Sequence, residues 1–329
     1  MYLEDVTIEG FKSFSEPTTM SFEPGIGVII GNNGVGKSNI LDALVWALGE
    51  GDLHRLRCRH REDLFFSGSD LYPPADRVRV DLVFRETPEG DLRVSRELWR
   101  DGREGFWLGG NPTDADGYRA GLDRLGLAGC PRTIIRQEGI NDLLRMDGAG
   151  RFRWFQEVAG IPDPGEAAAR LAGPVAERFA RCLELLDPRL EGRLRVEGDG
   201  APELEIEMTF PGVSRFRPSH QLSGGQQAVT SLAFKLAAFE EVGSPLYLLD
   251  EVEPSLDYAN HKSIQALLKD LARRRQIVII THLRTTIDVA NTVHGVRTRR
   301  DGSSFMKFYF LMDERILRLF RCSCARNAV

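Results

Sequence analysis

The sequence predicts an α/β protein with a mixed, largely parallel sheet, an antiparallel β excursion, and two lobes joined by a short helical stub. Three observations predict it. An apolar run, "GIGVII", leads straight into the glycine-rich loop "GNNGVGKSN" (residues 31–39) and then into a helix-periodic segment. Two later runs, "PLYLLDE" and "RQIVIITH", are continuously apolar, as strands covered on both faces are. Between the first run and these lies an alternating stretch, Arg77–Leu108, punctuated by turn residues.

Taken in order, "YLEDVTIEGFKSF" alternates and reads as a first strand. After the glycine-rich loop, Ile40, Leu41, Ala43, Leu44, Ala47 and Leu48 recur at helical spacing, and Gly49 stops the helix. The meander that follows turns at Pro88-Glu89-Gly90, Asp101-Gly102 and Gly109-Gly110-Asn111. A helix is expected near Tyr118 to Leu125. Ala167 to Leu186 is helix-prone, and Gly173-Pro174 predicts its division into two pieces, a small hairpin or stub. "GRLRVEG" and "ELEIEMTF" read as a strand pair. The loop "HQLSGG" then opens a helix whose apolar face carries Val229, Leu232, Ala233, Leu236 and Phe239. The expected organisation is an N-terminal lobe over residues 1–163, a stub over 164–186 and a C-terminal lobe over 187–329.

Composition narrows the field. The chain has 329 residues, is 42% hydrophobic and carries a net charge of −5, so it is not a wholly basic nucleic-acid binder. No apolar stretch reaches the ~18 residues of a membrane span, and the N-terminus lacks a signal-peptide pattern. No membrane partner and a cytoplasmic location are therefore expected. The five cysteines (Cys58, Cys130, Cys182, Cys322 and Cys324) are odd in number and read as free thiols. The C-x-C of Cys322 and Cys324 has no second pair nearby to complete a metal site.

Gly31-x4-Gly36-Lys37-Ser38 fits the phosphate-loop pattern. Its glycines let backbone amides approach phosphate oxygens, Lys37 would reach the β- and γ-phosphates, and Ser38 would ligate Mg²⁺. Asp250 ends an apolar strand, where an acid holds Mg²⁺ through water, and Glu251 beside it is the natural general base for an attacking water. His282 ends another strand and would contact the γ-phosphate. Ser223, Gly224 and Gly225 stand where a loop becomes a helix, a second place suited to phosphate. One nucleotide does not need two such cradles.

Together these pieces resemble the ATP-binding cassette class of ATPases, and within it the head domain of structural maintenance of chromosomes (SMC) proteins. The likeness rests on "GFKSF" (10–14), "GNNGVGKSNILDALVWALGE", "LRCRHREDLFFSGS" (56–69), "IIRQEGINDLL" with "FQEVAGI", "LSGGQ", "LLDEVEPSLDYAN" and "VIITHLRTTIDVAN". It spans about residues 1–160 and 186–298. The resemblance implies ATP and Mg²⁺ as cofactors and assigns roles by position. Lys12, Ser13, Asn32, Asn33, Gly34, Val35, Gly36, Lys37, Ser38 and Asn39 would surround the nucleotide, with Arg57 as a finger-like contact. Gln137 would sense Mg²⁺ and the water, Asp257 would be the D-loop acid, and His282 the switch. Ser223, Gly224, Gly225 and Gln226 would form the signature. In this class that motif caps ATP held by the phosphate loop of a second head, so the two cradles of one chain face two different nucleotides. An ATP-dependent homodimer is thus implied.

Two departures from the family pattern stand out. The long coiled-coil arms and hinge of full SMC chains shrink here to the segment around Gly173-Pro174, and Gln226 stands where the SMC signature usually has Glu. Sequence-independent DNA contact, accessory subunits, nucleoid association and a role in chromosome condensation and segregation follow as expectations of the resemblance. Basic runs at Arg55, Arg57, Arg59, His60 and Arg61, at Arg273–Arg275, and at Arg297, Arg299 and Arg300 are the candidate DNA patches. A short-armed recombination-repair ATPase is the first alternative, and a transporter-type cassette the second.

Overall fold

The structure is a computed structural model and describes residues 1–88, 90–137, 139–198, 201–210, 215–252 and 261–312. It divides into two compact units. Of the described residues, those of Met1–Pro131 and Pro245–Leu248 and those from Ala272 onward build the first; those of Arg132–Ser244 and Leu249–Leu271 build the second. These units differ from the consecutive lobes suggested by the sequence, because strands from both ends of the chain share one sheet.

The first unit opens with β1 (Tyr2–Glu9), β2 (Thr18–Ser21), β3 (Ile26–Ile30) and α1 (Lys37–Ala47). It continues through β4 (Arg77–Thr87), β5 (Gly90–Trp99), β6 (Glu104–Leu108), β7 (Asn111–Thr113) and α2 (Ala115–Arg124). The meander expected from the alternating stretch is present, and β1 and β2 join it in the order β2-β1-β4-β5-β6-β7, antiparallel throughout. Its alternation has a plain cause: Val78, Val80, Leu82 and Phe84 point inward and are fully buried. The intervening Arg77 and Arg79 pair with Glu9, Asp81 and Glu97 on the other face. The first strand stops at Glu9, short of "GFKSF", because Gly10 takes a positive φ of 66°.

The second unit holds β8 (Ile134–Ile135), α3 (Asp142–Arg145), α4 (Gly148–Ala159), α5 (Pro164–Arg170) and α6 (Ala176–Leu186). Then come β9 (Glu191–Glu197), β10 (Glu203–Thr209), β11 (Arg217–Pro218) and α7 (Gly224–Val242). The strand pair β9–β10 forms as expected, with β11 added on the far side of β10. The expected break at Gly173-Pro174 does not occur. α5 and α6 are joined without interruption by a π-helical turn over Leu171–Val175, which contains Pro174. Wider i→i+5 bonding lets a helix pass a residue that has no N–H to donate. Phe179 of α6 packs edge-on against Phe234 of α7, with ring centroids 6.1 Å apart.

β12 (Leu246–Asp250) runs from the first unit into the second, and α8 (His261–Ala272) follows. The first unit then closes with β13 (Gln276–Ile280), α9 (Arg284–Ile287), β14 (Thr292–Thr298) and β15 (Ser304–Leu311). Its second sheet takes the order β15-β14-β3-β13-β12 through this unit. β3 is parallel to both β13 and β14, while β15 is antiparallel to β14. Ile277, Val278, Ile279 and Ile280 are wholly buried, as continuous apolar strands of a covered parallel sheet must be. Among the described residues, no helix is long and apolar enough to cross a membrane.

Candidate nucleotide-binding site

β3 ends at Ile30 and α1 begins at Lys37, so the glycine-rich loop occupies the expected strand-to-helix turn. Gly34 and Gly36 take φ of 80° and 90°. At Gly36 sterics reinforce the requirement: a Cβ there would lie 2.4 Å from Ser13 Oγ and 2.5 Å from Ser304 Oγ. No side chain caps the start of α1 at Gly36, and a helix N-terminus at a glycine-rich loop favours anions.

Lys37 is buried, and its ammonium donates to the carbonyls of Gly31 (2.9 Å) and Asn32 (3.0 Å). Its Nζ also lies 3.1 Å from Nε2 of His282, two residues beyond the end of β13. Because β13 pairs with β3, the strand that feeds the loop, the sheet itself brings His282 to Lys37.

A second layer holds the loop from behind. Asp42 of α1 is fully buried and receives Lys12 Nζ (2.5 Å) and Arg57 Nη2 (2.6 Å). A carboxylate removed from water needs such partners. Lys12 also donates to the Leu56 carbonyl, and Arg57 to Asn39 Oδ1 at 3.2 Å. Lys12 and Arg57 both adopt positive φ, 49° and 56°. Asn39 donates to Ser13 Oγ at 2.9 Å. Ser304, at the start of β15, donates to Ser13 Oγ (2.7 Å) or Val35 O (2.8 Å) through its single hydroxyl proton. Its backbone N–H donates to Ser13 O at 2.7 Å.

The structure thus gathers Lys12, Ser13, Asn32 to Asn39, Arg57 and His282 in the first unit. Sequence reasoning missed Asp42 and Ser304. Asp42 had a signal, a lone acid within the apolar run of α1; Ser304, 268 residues beyond Gly36 in the chain, had none.

The remaining candidates belong to the second unit. Ser223 is the N-cap of α7: its Oγ accepts from Gln226 N–H at 3.5 Å, while Gln226 Oε1 accepts from Ser223 N–H at 3.0 Å. This reciprocal capping box needs only a side-chain oxygen at Gln226, which glutamine supplies as glutamate does. Gly224 faces open space. Asp250 is buried at the end of β12, and Glu251 follows with a φ of 48°. A non-glycine residue in the left-handed region is uncommon and concentrates at functional sites. Gln137 is exposed on the loop between β8 and α3. Gly225 is the second residue of α7. Asp257 lies outside the described residues, as do Cys322 and Cys324.

The arginine runs are partly neutralised. Arg55 pairs with Glu50 and Asp52, Arg57 with Asp42, Arg61 with Glu104 and Arg299 with Glu16. Arg59, Arg273, Arg274, Arg297 and Arg300 are exposed.

No group of three or more His, Cys, Asp or Glu residues gathers to hold a metal among the described residues. Ser38 near the start of α1 and Asp250 at the end of β12 each carry an oxygen of the kind Mg²⁺ takes.

A strand-to-helix phosphate loop with a buried lysine, beside a parallel strand with a histidine two residues past its end, is the arrangement of a P-loop α/β protein. Residues 2–304 match the model of the RecF/RecN/SMC N-terminal domain, and the chain belongs to that family. Its fold is that of the SMC head. It is similar to an Smc head crystallised with the C-winged helix domain of ScpA (29% identity, TM-score 0.84, covering 96% of this chain and 100% of that one). It is likewise similar to the SMC head domain from Thermotoga maritima (31% identity, TM-score 0.69, covering 95% and 100%). Among curated relatives, the chromosome partition protein Smc of Mycobacterium leprae is 33% identical over 194 residues. That match covers 56% of this chain and 16% of the relative, so the chain spans about a sixth of that protein's length.

Proposed function

We propose that this chain is an ATPase head that binds Mg²⁺ and ATP, engages a second copy around the nucleotide, and hydrolyses it in the service of chromosome partition. The observation that carries the reading is the buried Lys37 ammonium, fixed among the Gly31 and Asn32 carbonyls and His282 at the start of α1. A cation held in a ring of polar groups at a helix N-terminus fits a polyanionic phosphate chain.

In this reading the amides of the glycine-rich loop and Lys37 bind the β- and γ-phosphates. Ser38 and Asp250 would hold Mg²⁺, which would supply charge neutralisation at the phosphates. Glu251 accepts a proton from the attacking water, whose oxygen bonds to the γ-phosphorus as the bond to the β-bridging oxygen breaks, giving ADP and phosphate. Gln137 orients the water and His282 hydrogen-bonds the γ-phosphate. Asp257 serves as the D-loop acid, and Ser223 to Gln226 cap the nucleotide of the other copy. Arg59, Arg297 and Arg300 supply sequence-independent contact with DNA phosphates. An accessory subunit like the ScpA domain on the neighbouring head would complete the assembly.

The uninterrupted helix from Pro164 to Leu186 favours a second reading, a short-armed ATPase of DNA repair, since it joins the two halves of the head without a long arm. Preference for gapped over continuous duplex DNA separates this reading from the first.

The test of the nucleotide site is calorimetric titration of Mg²⁺ and ATP into the wild type and Lys37→Ala. Binding by the wild type and a loss of at least ~100-fold, about 2.7 kcal/mol, in the variant is expected. Equal affinity in a folded Lys37→Ala protein removes the assignment.

A further inference from the structure

Ser304 opens β15, the outermost described strand of its sheet, and yet is only 1% exposed. Its backbone N–H donates to Ser13 O at 2.7 Å, and that bond alone ties the start of β15 to the segment after β1. Alanine would keep the tie and would not bury a hydroxyl, which is costly without partners. The Ser304 hydroxyl therefore serves something that packing does not require.

The hydrogen bonds around Ser13 have one consistent polarity. Arg57 can only donate, so the Asn39 oxygen faces Arg57 Nη2 at 3.2 Å and the Asn39 nitrogen faces Ser13 Oγ at 2.9 Å. Ser13 Oγ is thus an acceptor on that side. On the other it accepts from Ser304 Oγ at 2.7 Å. A hydroxyl has two lone pairs and one proton. With both lone pairs engaged, Ser13 keeps its proton for a third partner, and no described residue accepts it. Ser13 is half-buried, and its oxygen lies 2.4 Å from where a Cβ on Gly36, the N-cap of α1, would stand. That is the end of α1 that favours anions.

We propose that Ser304 is a positioning residue that, with Asn39, commits the Ser13 hydroxyl to donate to a phosphate oxygen of the nucleotide. The inference rests on the reading above, in which the glycine-rich loop holds ATP. Ser304 has a second acceptor in reach, the Val35 carbonyl at 2.8 Å, and its single proton serves one of the two at a time. A phosphate on the Ser13 proton makes Ser13 Oγ the better acceptor and draws the Ser304 proton to it, since hydrogen bonds in a chain strengthen one another. Ser304 acts through Ser13 and does not touch the nucleotide. All of these residues belong to the first unit.

The test is a double-mutant cycle, read by calorimetric titration of Mg²⁺ and ATP into wild type, Ser304→Ala, Ser13→Ala and the double variant, with Lys37→Ala as the control for nucleotide binding. Each single variant is expected to bind ATP about five- to tenfold more weakly than wild type, the loss of one hydrogen bond. The double variant should bind no more than about twofold more weakly than Ser13→Ala, because Ser304 then has nothing to act through. A hydroxyl that only braced the fold would instead multiply the two losses, to roughly 25- to 100-fold. If Ser304→Ala does not fold, Ser304→Cys takes its place in the same cycle, since its thiol is only a weak donor. Multiplied losses, or wild-type affinity in the Ser304 variant, overturn the proposal, and weak binding by Lys37→Ala beside a binding wild type leaves the nucleotide site standing. A wild type that does not bind ATP overturns both.

Discussion

Lys37 Nζ stands 3.1 Å from His282 Nε2, although the two residues are 245 positions apart in the chain. With the ammonium as donor, Nε2 is the acceptor and the ring proton sits on Nδ1. The same Lys37 head also donates to two carbonyls of its own loop. The histidine is therefore not the sole acceptor of this ammonium, and a phosphate reaching it would compete with the ring.

From this a separation of binding and turnover follows for His282→Ala. The Gly31 and Asn32 carbonyls still hold Lys37, so ATP affinity should change by no more than about threefold, under 1 kcal/mol. Turnover should fall by about 10- to 100-fold, because a group placed to stabilise charge on the γ-phosphate is lost. Parallel calorimetry and phosphate-release assays check this; a variant with reduced affinity and unchanged turnover contradicts the role given to His282.

Glu251 gives a second test. Its φ of 48° shows a backbone held in the left-handed region, a geometry glutamine adopts at similar cost. Glu251→Gln should therefore leave the fold intact within about 0.5 kcal/mol. The amide cannot accept the water's proton, so turnover should fall at least ~100-fold while ATP still binds. Gel filtration with Mg²⁺ and ATP should show the variant as a dimer. Near-native turnover in Glu251→Gln places the base elsewhere.

A third prediction concerns pH and lies outside the site. His294 on β14 is fully buried between Phe22 and Tyr309, at 4.4 and 5.1 Å between ring centroids. Neither of its ring nitrogens has a hydrogen-bond partner, and burial holds its pKa down at about 4, against 6.5 when exposed. The folded form thus binds fewer protons than the unfolded chain between these values. Its contribution to stability is fully present above pH 6.5 and is lost as pH falls toward 4, by about 3 kcal/mol in all. His294→Phe removes the titration. The stability difference between variant and wild type, from urea melts at successive pH values, should grow by about 1.4 kcal/mol per unit across that window. A constant difference shows that His294 is protonated inside the fold.

The sequence was most legible where one local pattern carried both structure and chemistry. The strand–loop–helix around Lys37 and the loop-to-helix start at Ser223 are written in contiguous residues, so both appear where expected. What could not be seen depends on pairing between distant segments. Asp42 is read as a break in an apolar run until Lys12 and Arg57 arrive to neutralise it. Ser304 becomes part of the phosphate loop because β15 pairs with β14, which pairs with β3. The helix at Gly173-Pro174 was misjudged for a different reason. Local propensity argued for a break, but Leu171, Val175, Phe179 and Leu183 on one side of the segment are fully buried, and packing carried the helix through a π turn.

The last prediction asks whether the two phosphate cradles serve one nucleotide or two. Lys37→Ala disables the phosphate loop, and Ser223→Arg fills the signature with a large cation. Each variant alone should form pairs with no competent site. In a mixture, a heterodimer has one site with both defects. Its other site joins the intact phosphate loop of the Ser223→Arg chain to the intact signature of the Lys37→Ala chain. Two-fold symmetry demands this crossing, since each copy presents the same patch to the other. Random pairing of equal amounts makes about half of the dimers mixed, each with one good site of two, so up to about a quarter of wild-type turnover should return. Pairing of isolated heads is concentration-dependent, so the assay belongs at high protein concentration, where wild-type turnover rises more steeply than linearly with protein. Turnover in the mixture that neither variant shows alone establishes a shared site. A mixture that stays inactive at every ratio, beside a wild type whose turnover is strictly proportional to protein, means that Ser223 acts on the nucleotide of its own chain, and the crossed dimer is wrong.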